Sequence, residues 1–157
     1  LIDNYHSKNR RGRAAALNMV LTETGAASAV SQVLPNLNGK ISANAIRVPT
    51  PNVSLAILKL YLEKSSSLEE FNEFLKQTAF HSLLKDQIDF SISTENVSSD
   101  FVGSKYASVI DGQSTIVNDR NVVVYVWYDN EYGYCAQLLK VIKRMSGIQY
   151  RKLPNFL

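Results

Sequence analysis

The chain has 157 residues, 45% hydrophobic and 20% charged, with 17 Lys+Arg against 14 Asp+Glu for a formal charge of +3. This balance excludes an intrinsically disordered chain, and no run approaches the ~18 apolar residues that a membrane-spanning helix needs. The single cysteine, Cys135, excludes an internal disulfide, and with only two histidines, His6 and His81, a zinc site lacks ligands. A lone thiol favours a reducing compartment. The chain opens on Leu1 rather than Met, with no signal-peptide pattern, and we expect it to be part of a longer protein.

Residues 1–13 show no periodicity and read as an extended arm. Lys8, Arg10, Arg11 and Arg13 make it basic, so it is either a solvated arm or a phosphate-facing segment. Residues 26–34 follow as a helix that Pro35 closes, and residues 36–40 form a polar turn. Strands are expected over residues 41–48 and 53–62. In the second the apolar parity changes near Ile57, which implies either a bulge or burial on both faces. Ser67 and Glu70 have capping-box spacing, and Leu68, Phe71, Phe74 and Leu75 then repeat as in a helix over residues 68–78. Residues 80–85 are a short helix or a turn.

Short strands are expected at residues 88–92, 106–110 and 114–117, with turns at Asp111-Gly112 and Asn118-Asp119, as in an antiparallel meander. Residues 122–128 are apolar throughout, as in a central strand covered on both faces. Asp129 or Asn130 caps a last helix over residues 131–145, whose expected buried stripe is Cys135, Leu138, Leu139, Ile142 and Met145. On that stripe Cys135 is expected to be an inert core thiol. Gly147 ends the helix. The fold class is α+β, with a mostly antiparallel or mixed sheet, helices on one face and a long C-terminal helix. Neither a G-x-G-x-x-G nor a P-loop sequence occurs.

Three places stand out for chemistry. Thr24-Gly25 opens a helix, where free amides either receive a plain N-cap or accept an anion. Arg47, on a strand with Ile41, Ala43 and Ala45, either forms a structural ion pair or grips a phosphate with its guanidinium fork. Asn130, within Trp127-Tyr128-Asp129-Asn130-Glu131-Tyr132-Gly133-Tyr134, sits where an amide can both donate to and accept from a ligand.

Six ordered blocks resemble the glyceraldehyde-3-phosphate dehydrogenase family. They are Arg10-Arg11-Gly12-Arg13-Ala14-Ala15-Ala16, Thr24-Gly25-Ala26-Ala27, Leu37-Asn38-Gly39-Lys40, Arg47-Val48-Pro49-Thr50-Pro51-Asn52-Val53-Ser54, Ser98-Ser99-Asp100-Phe101 and the 127–134 segment. The resemblance covers residues 3–145 and implies most of the family's C-terminal catalytic domain, without its N-terminal Rossmann domain. It implies a cofactor- and interface-facing arm at residues 1–16, the domain proper at residues 17–147 and a tail at residues 148–157.

Residue by residue, the resemblance assigns Arg11, Thr24 and Gly25 to one phosphate site and Arg47 to the other. Asn130 would bond the nicotinamide carboxamide, with Tyr134 nearby. The family's cysteine nucleophile and histidine base lie in motifs that this sequence does not contain; neither Cys135 nor His6 matches them, so no catalytic residue is assigned. The cofactor implied is NAD, with NADP left open. The implied reaction is oxidation of a phosphorylated aldehyde with uptake of inorganic phosphate, through addition of a thiolate, loss of hydride to NAD and phosphorolysis of the thioester.

Glu23 stands where the family commonly has serine or threonine, and Tyr5 where it has proline. The partners expected are the substrate, phosphate, the missing Rossmann domain and three further copies in a homotetramer of the full-length protein. Neither nucleic acid nor membrane is expected, and the cytoplasm is the expected location. The isolated chain is expected to be inactive. Erythrose 4-phosphate as substrate, or a separately made binding or assembly domain, are the alternatives.

Overall fold

The computed structural model describes residues 17–147 together with Ser7, Arg10 and Arg13. Most of the arm, including Arg11, and the whole tail lie outside the described residues. The chain divides into two compact units, Leu1–Pro51 and Asn52–Leu157.

In the first unit β1 (Val20–Thr22) pairs antiparallel with β2 (Ala45–Arg47), and α1 (Ala26–Val33) lies between them in sequence. A 3-10 turn at Pro35–Leu37 follows α1, because proline cannot continue the helix but suits the first position of a new turn. The strand expected over residues 41–48 is shorter than its apolar pattern: only Ala45–Arg47 finds a partner. Its mate β1 has only three residues, too few to show alternation in the sequence. None of the described residues of this unit is buried.

The second unit holds a four-stranded sheet in the order β3-β6-β5-β4, where β3 is Ser54–Tyr61, β4 Ile88–Ser91, β5 Ser108–Asn118 and β6 Asn121–Tyr128. α2 (Leu68–His81) follows β3 and packs over β4 and β5. The Ser67 hydroxyl accepts from the Glu70 amide at 3.1 Å, and the Glu70 carboxylate accepts from the Ser67 amide at 3.2 Å, so the predicted capping box forms. Ala79 of α2 joins Phe90, Ile110, Val122, Val124 and Val126 in the core, with Phe71 and Leu75 packed against it. Even-numbered residues of β3 and β6 share this face through the register Ala56↔Val126 and Leu58↔Val124.

The structure corrects several expectations. The sheet is mixed and is not a plain meander, because β4 and β5 run parallel. Asp111-Gly112 is not a turn between strands. It begins a bulge within one long β5, where the register against β6 jumps from Asp111↔Tyr125 to Ile116↔Val123. The bulge anticipated near Ile57 is absent, since β3 pairs with β6 without interruption from Ser54 to Tyr61. Nor is β3 buried on both faces: Ile57 and Tyr61 are 60% and 67% exposed. On the same face of β6, Val123 and Tyr125 are only half-buried, so the central strand is fully covered on one side only.

The last helix, α3 (Tyr132–Met145), ends before Gly147, whose φ of +69° supplies the left-handed stop. Its predicted stripe is correct in periodicity but wrong in burial: Cys135, Leu138, Leu139, Ile142 and Met145 are all exposed. Amphipathicity marks the side a helix would bury, and nothing among the described residues covers that side. Cys135 is therefore an exposed thiol. Only Gly133 is buried in α3, where an added Cβ would lie 2.8 Å from the Tyr106 carbonyl oxygen. Glycine thus lets the first turn of α3 meet the 104–106 loop, and farther along Gln137 donates to the Lys105 carbonyl at 2.8 Å.

Candidate functional site

In the first unit, the register Val20↔Arg47 and Thr22↔Ala45 puts Arg47 and Thr22 on one face of the ribbon. They stand two positions apart along the strands, about 7 Å. Thr24 and Gly25 follow β1 in sequence and lead into α1. Arg47 is exposed, and its guanidinium makes no ion pair among the described residues. Thr24 is half-buried, and its hydroxyl accepts from the Ala26 amide at 3.2 Å, as a simple cap would. Gly25 takes the N-cap place with φ −84° and ψ 4°. A Cβ there would touch nothing within 4 Å, so neither strain nor crowding demands glycine. The Ala26 amide is already taken by Thr24, and the bare Gly25 adds no side chain over the start of α1. Arg11 lies outside the described residues.

In the second unit, the segment from Trp127 to Tyr134 joins the end of β6 to the first turn of α3. Asn130 and Tyr134 are both exposed, and the Asn130 amide makes no hydrogen bond among the described residues. It is a free donor–acceptor pair at the carboxyl end of a central strand. The sequence left open whether Asp129 or Asn130 caps α3; the structure puts neither there but Glu131, with no side-chain cap bond. The Asp129 carboxylate instead braces the turn that leads into the helix. One oxygen of that carboxylate accepts from the amides of Glu131 and Tyr132, both at 2.9 Å. The other accepts from the Gly103 amide at 2.9 Å and from Asn52 Nδ2 at 3.2 Å. Asp129 is only 3% exposed. The Gly103 amide first, then those of Tyr132 and Glu131 with Asn52, hold its carboxyl below the ordinary value against the opposing pull of burial.

A second buried carboxylate supports the same segment from β5. Asp111 is 4% exposed and accepts from Trp127 Nε1 and the Ser114 amide, each at 3.0 Å, with Asn96 at 3.5 Å. Burial pushes its carboxyl up, but Trp127, Ser114 and Asn96 together outweigh burial and leave it below the ordinary range. Trp127 also stacks on Phe101, with ring centroids 5.2 Å apart and planes 13° from parallel. Such a pair is worth about 0.5–1.5 kcal/mol beyond the area it buries. These supports are hard to see in a sequence, because a buried aspartate and an exposed one look alike until their donors are placed. The one signal was the position of Asp129, between an apolar strand and a helix start.

No helix among the described residues is long and apolar enough to cross a membrane. Nor does any group of three or more His, Cys, Asp or Glu among them have the arrangement of a metal site.

The sequence profile of the glyceraldehyde 3-phosphate dehydrogenase C-terminal domain matches residues 1–130. The chain is 58% identical over 155 residues to a glyceraldehyde-3-phosphate dehydrogenase-like protein of Pseudomonas aeruginosa, covering 99% of this chain and 34% of that protein. It is 45% identical over 147 residues to glyceraldehyde-3-phosphate dehydrogenase 2 of Trichormus variabilis, covering 93% of this chain and 43% of that protein. Against glyceraldehyde-3-phosphate dehydrogenase 1 of Bacillus subtilis the identity is 47% over 140 residues, covering 88% and 41% respectively. The chain thus spans between a third and a half of the length of these relatives. With a match of this extent, joined to an α+β fold that displays Asn130 at the end of its central strand, the chain belongs to the family of glyceraldehyde-3-phosphate dehydrogenase C-terminal domains.

Proposed function

We propose that this chain is the catalytic-domain part of a phosphorylating, NAD-dependent glyceraldehyde-3-phosphate dehydrogenase. In the complete enzyme, glyceraldehyde 3-phosphate, phosphate and NAD would yield 1,3-bisphosphoglycerate and NADH. The observation that carries this reading is the pairing of free polar groups with the positions the family uses. Among the described residues Arg47 is exposed without an ion pair, nothing crowds Gly25 at the start of α1, and the Asn130 side-chain amide is unengaged on a braced loop.

Arg47 would hold one phosphate through a charge-assisted fork, and Thr24, Gly25 and Arg11 the other. Two separate anchors suit a reaction that brings a phosphorylated substrate and a second phosphate to one carbon. Asn130 would fix the nicotinamide carboxamide, with Tyr134 beside it, so that one ring face meets the aldehyde carbon; NADP remains open. The cofactor supplies a hydride acceptor when bound. The thiol and the base come from outside this sequence, so the chain alone should form no NADH.

The apolar, exposed faces of β3 and α3 support burial against the upstream Rossmann domain and further copies of the chain, as a homotetramer would provide. We place the enzyme in the cytoplasm, where an exposed free thiol such as that of Cys135 persists.

The test is NADH formation by the full-length protein with glyceraldehyde 3-phosphate and with erythrose 4-phosphate, each with and without inorganic phosphate. Phosphate-dependent turnover of the three-carbon substrate is expected. A preference for the four-carbon sugar would change the substrate, and turnover of neither would leave a non-catalytic binding or assembly role.

A further inference from the structure

The Asn130 side chain is exposed, yet its backbone is held on both sides. The residue before it, Asp129, is buried at the end of β6, and the two residues after it give their amides to one oxygen of the Asp129 carboxylate. The other oxygen takes the Gly103 amide from the loop after the 3-10 segment Ser98–Phe101, and the side-chain amide of Asn52. One carboxylate thus receives four donors from three stretches of chain.

Asn52 is itself engaged in an unusual turn. Its Oδ1 accepts from the Val53 amide at 2.7 Å, and Val53 has φ +74°, a left-handed conformation that β-branched residues rarely adopt. Such a residue persists only where its surroundings over-determine it, and strained positions gather at binding and catalytic sites. Bracing the turn into α3 needs only the amides of Glu131 and Tyr132. The Gly103 and Asn52 contacts are additional, and they tie the Asn130 loop to two other loops of the same unit.

We infer that Asp129 is a positioning residue for Asn130, its buried carboxylate fixing the loop that aims the Asn130 amide at the cofactor. The inference rests on the cofactor role proposed for Asn130. Asp129 does not touch the cofactor; it acts through the loop geometry alone. Asparagine in its place keeps the shape but turns one acceptor into a donor, facing either Gly103 N and Asn52 Nδ2 or the amides of Glu131 and Tyr132.

The experiment compares Asp129→Asn, Asn130→Ala and the double variant in the full-length enzyme. It measures KM for NAD and for phosphate, kcat, and hydrogen exchange in peptides covering residues 101–104 and 130–133. Asn130→Ala should raise KM for NAD by about tenfold and leave exchange unchanged. Asp129→Asn should raise KM for NAD by a similar factor, leave KM for phosphate unchanged and speed exchange in both peptides. The double variant should be no worse toward NAD than Asn130→Ala alone.

A merely structural role would lower the amount of active enzyme, and hence kcat, with KM for NAD unmoved. That outcome overturns the inference, as does an additive double variant. If Asn130→Ala leaves KM for NAD unchanged, the cofactor reading itself fails and the positioning role falls with it. Faster exchange in Asp129→Asn would still distinguish that case from one in which the carboxylate braces nothing.

Discussion

The two compact units solve the problem of holding functional groups in opposite ways. The unit that carries Thr24, Gly25 and Arg47 has a ribbon of three residues per strand, an eight-residue helix and no buried side chain among its described residues. The unit that carries Asn130 and Tyr134 has four strands, a covering helix and a core centred on Val122, which is 0% exposed. A three-residue ribbon cannot support itself, since isolated two-stranded pairs are marginal in water. The groups proposed to hold phosphate therefore sit on a thinly packed unit, whereas the amide proposed to hold the cofactor rests on a scaffold with buried hydrogen bonds. Anchors that gather anions tolerate such softness better than a group that must orient a ring.

Substitutions that probe the well-packed unit should have the larger effects on folding. Asp111→Ala removes a buried acceptor from the half-buried Trp127 Nε1 and from the amide of the exposed Ser114. Each such loss costs about 1–3 kcal/mol, so a destabilisation of about 3 kcal/mol is expected in denaturant titration. Val122→Ala follows at about 2 kcal/mol, from lost transfer energy and the cavity left at a fully buried site. Ser67→Ala should cost about 1 kcal/mol by opening the capping box of α2. Val33→Ser, on the exposed side of α1, should change stability by less than about 0.5 kcal/mol. A large loss from Val33→Ser, matched by a small one from Val122→Ala, would reverse the comparison.

Acid should weaken the second unit through its two buried carboxyls. Both Asp111 and Asp129 have folded-state pKa values below the ordinary 3.8. The unfolded chain therefore binds protons more readily, and the stability these groups add is full above that value and lost as pH falls through their folded values. Denaturant titrations between pH 6 and about pH 3 should show stability falling toward acid. The fall should be shallower in Asp111→Asn and Asp129→Asn, and an unchanged slope in both variants would contradict the assignment.

Much of the second unit was legible in the sequence because its patterns are long. The apolar runs of β3 and β6 and the Ser67–Glu70 box before α2 mark those elements openly, although the parity slip in β3 and the unbroken apolar run of β6 do not show which face is covered. The parallel pairing of β4 with β5 was not legible, because it depends on where two distant strands meet. Asp111-Gly112 misled for a local reason: the same dipeptide serves a hairpin turn and a bulge, and only the register against β6 distinguishes them. The stripe of α3 showed which side is apolar but not whether anything covers it. For the site, Arg47 and Asn130 could be named from residue type and resemblance. The work of Asp129 depends on donors 26 and 77 positions away, and no sequence window contains them.

The most direct test of the proposed function is the pattern of KM values for Arg47→Ala and Asn130→Ala in the full-length enzyme. Arg47→Ala should raise KM for the phosphorylated aldehyde by about ten- to a hundredfold, the worth of a charge-assisted bond of about 1.5–3 kcal/mol, and leave KM for NAD unchanged. Asn130→Ala should do the converse. Equal effects of both variants on both substrates, or no effect of either, would contradict the assignment of phosphate to one unit and nicotinamide to the other.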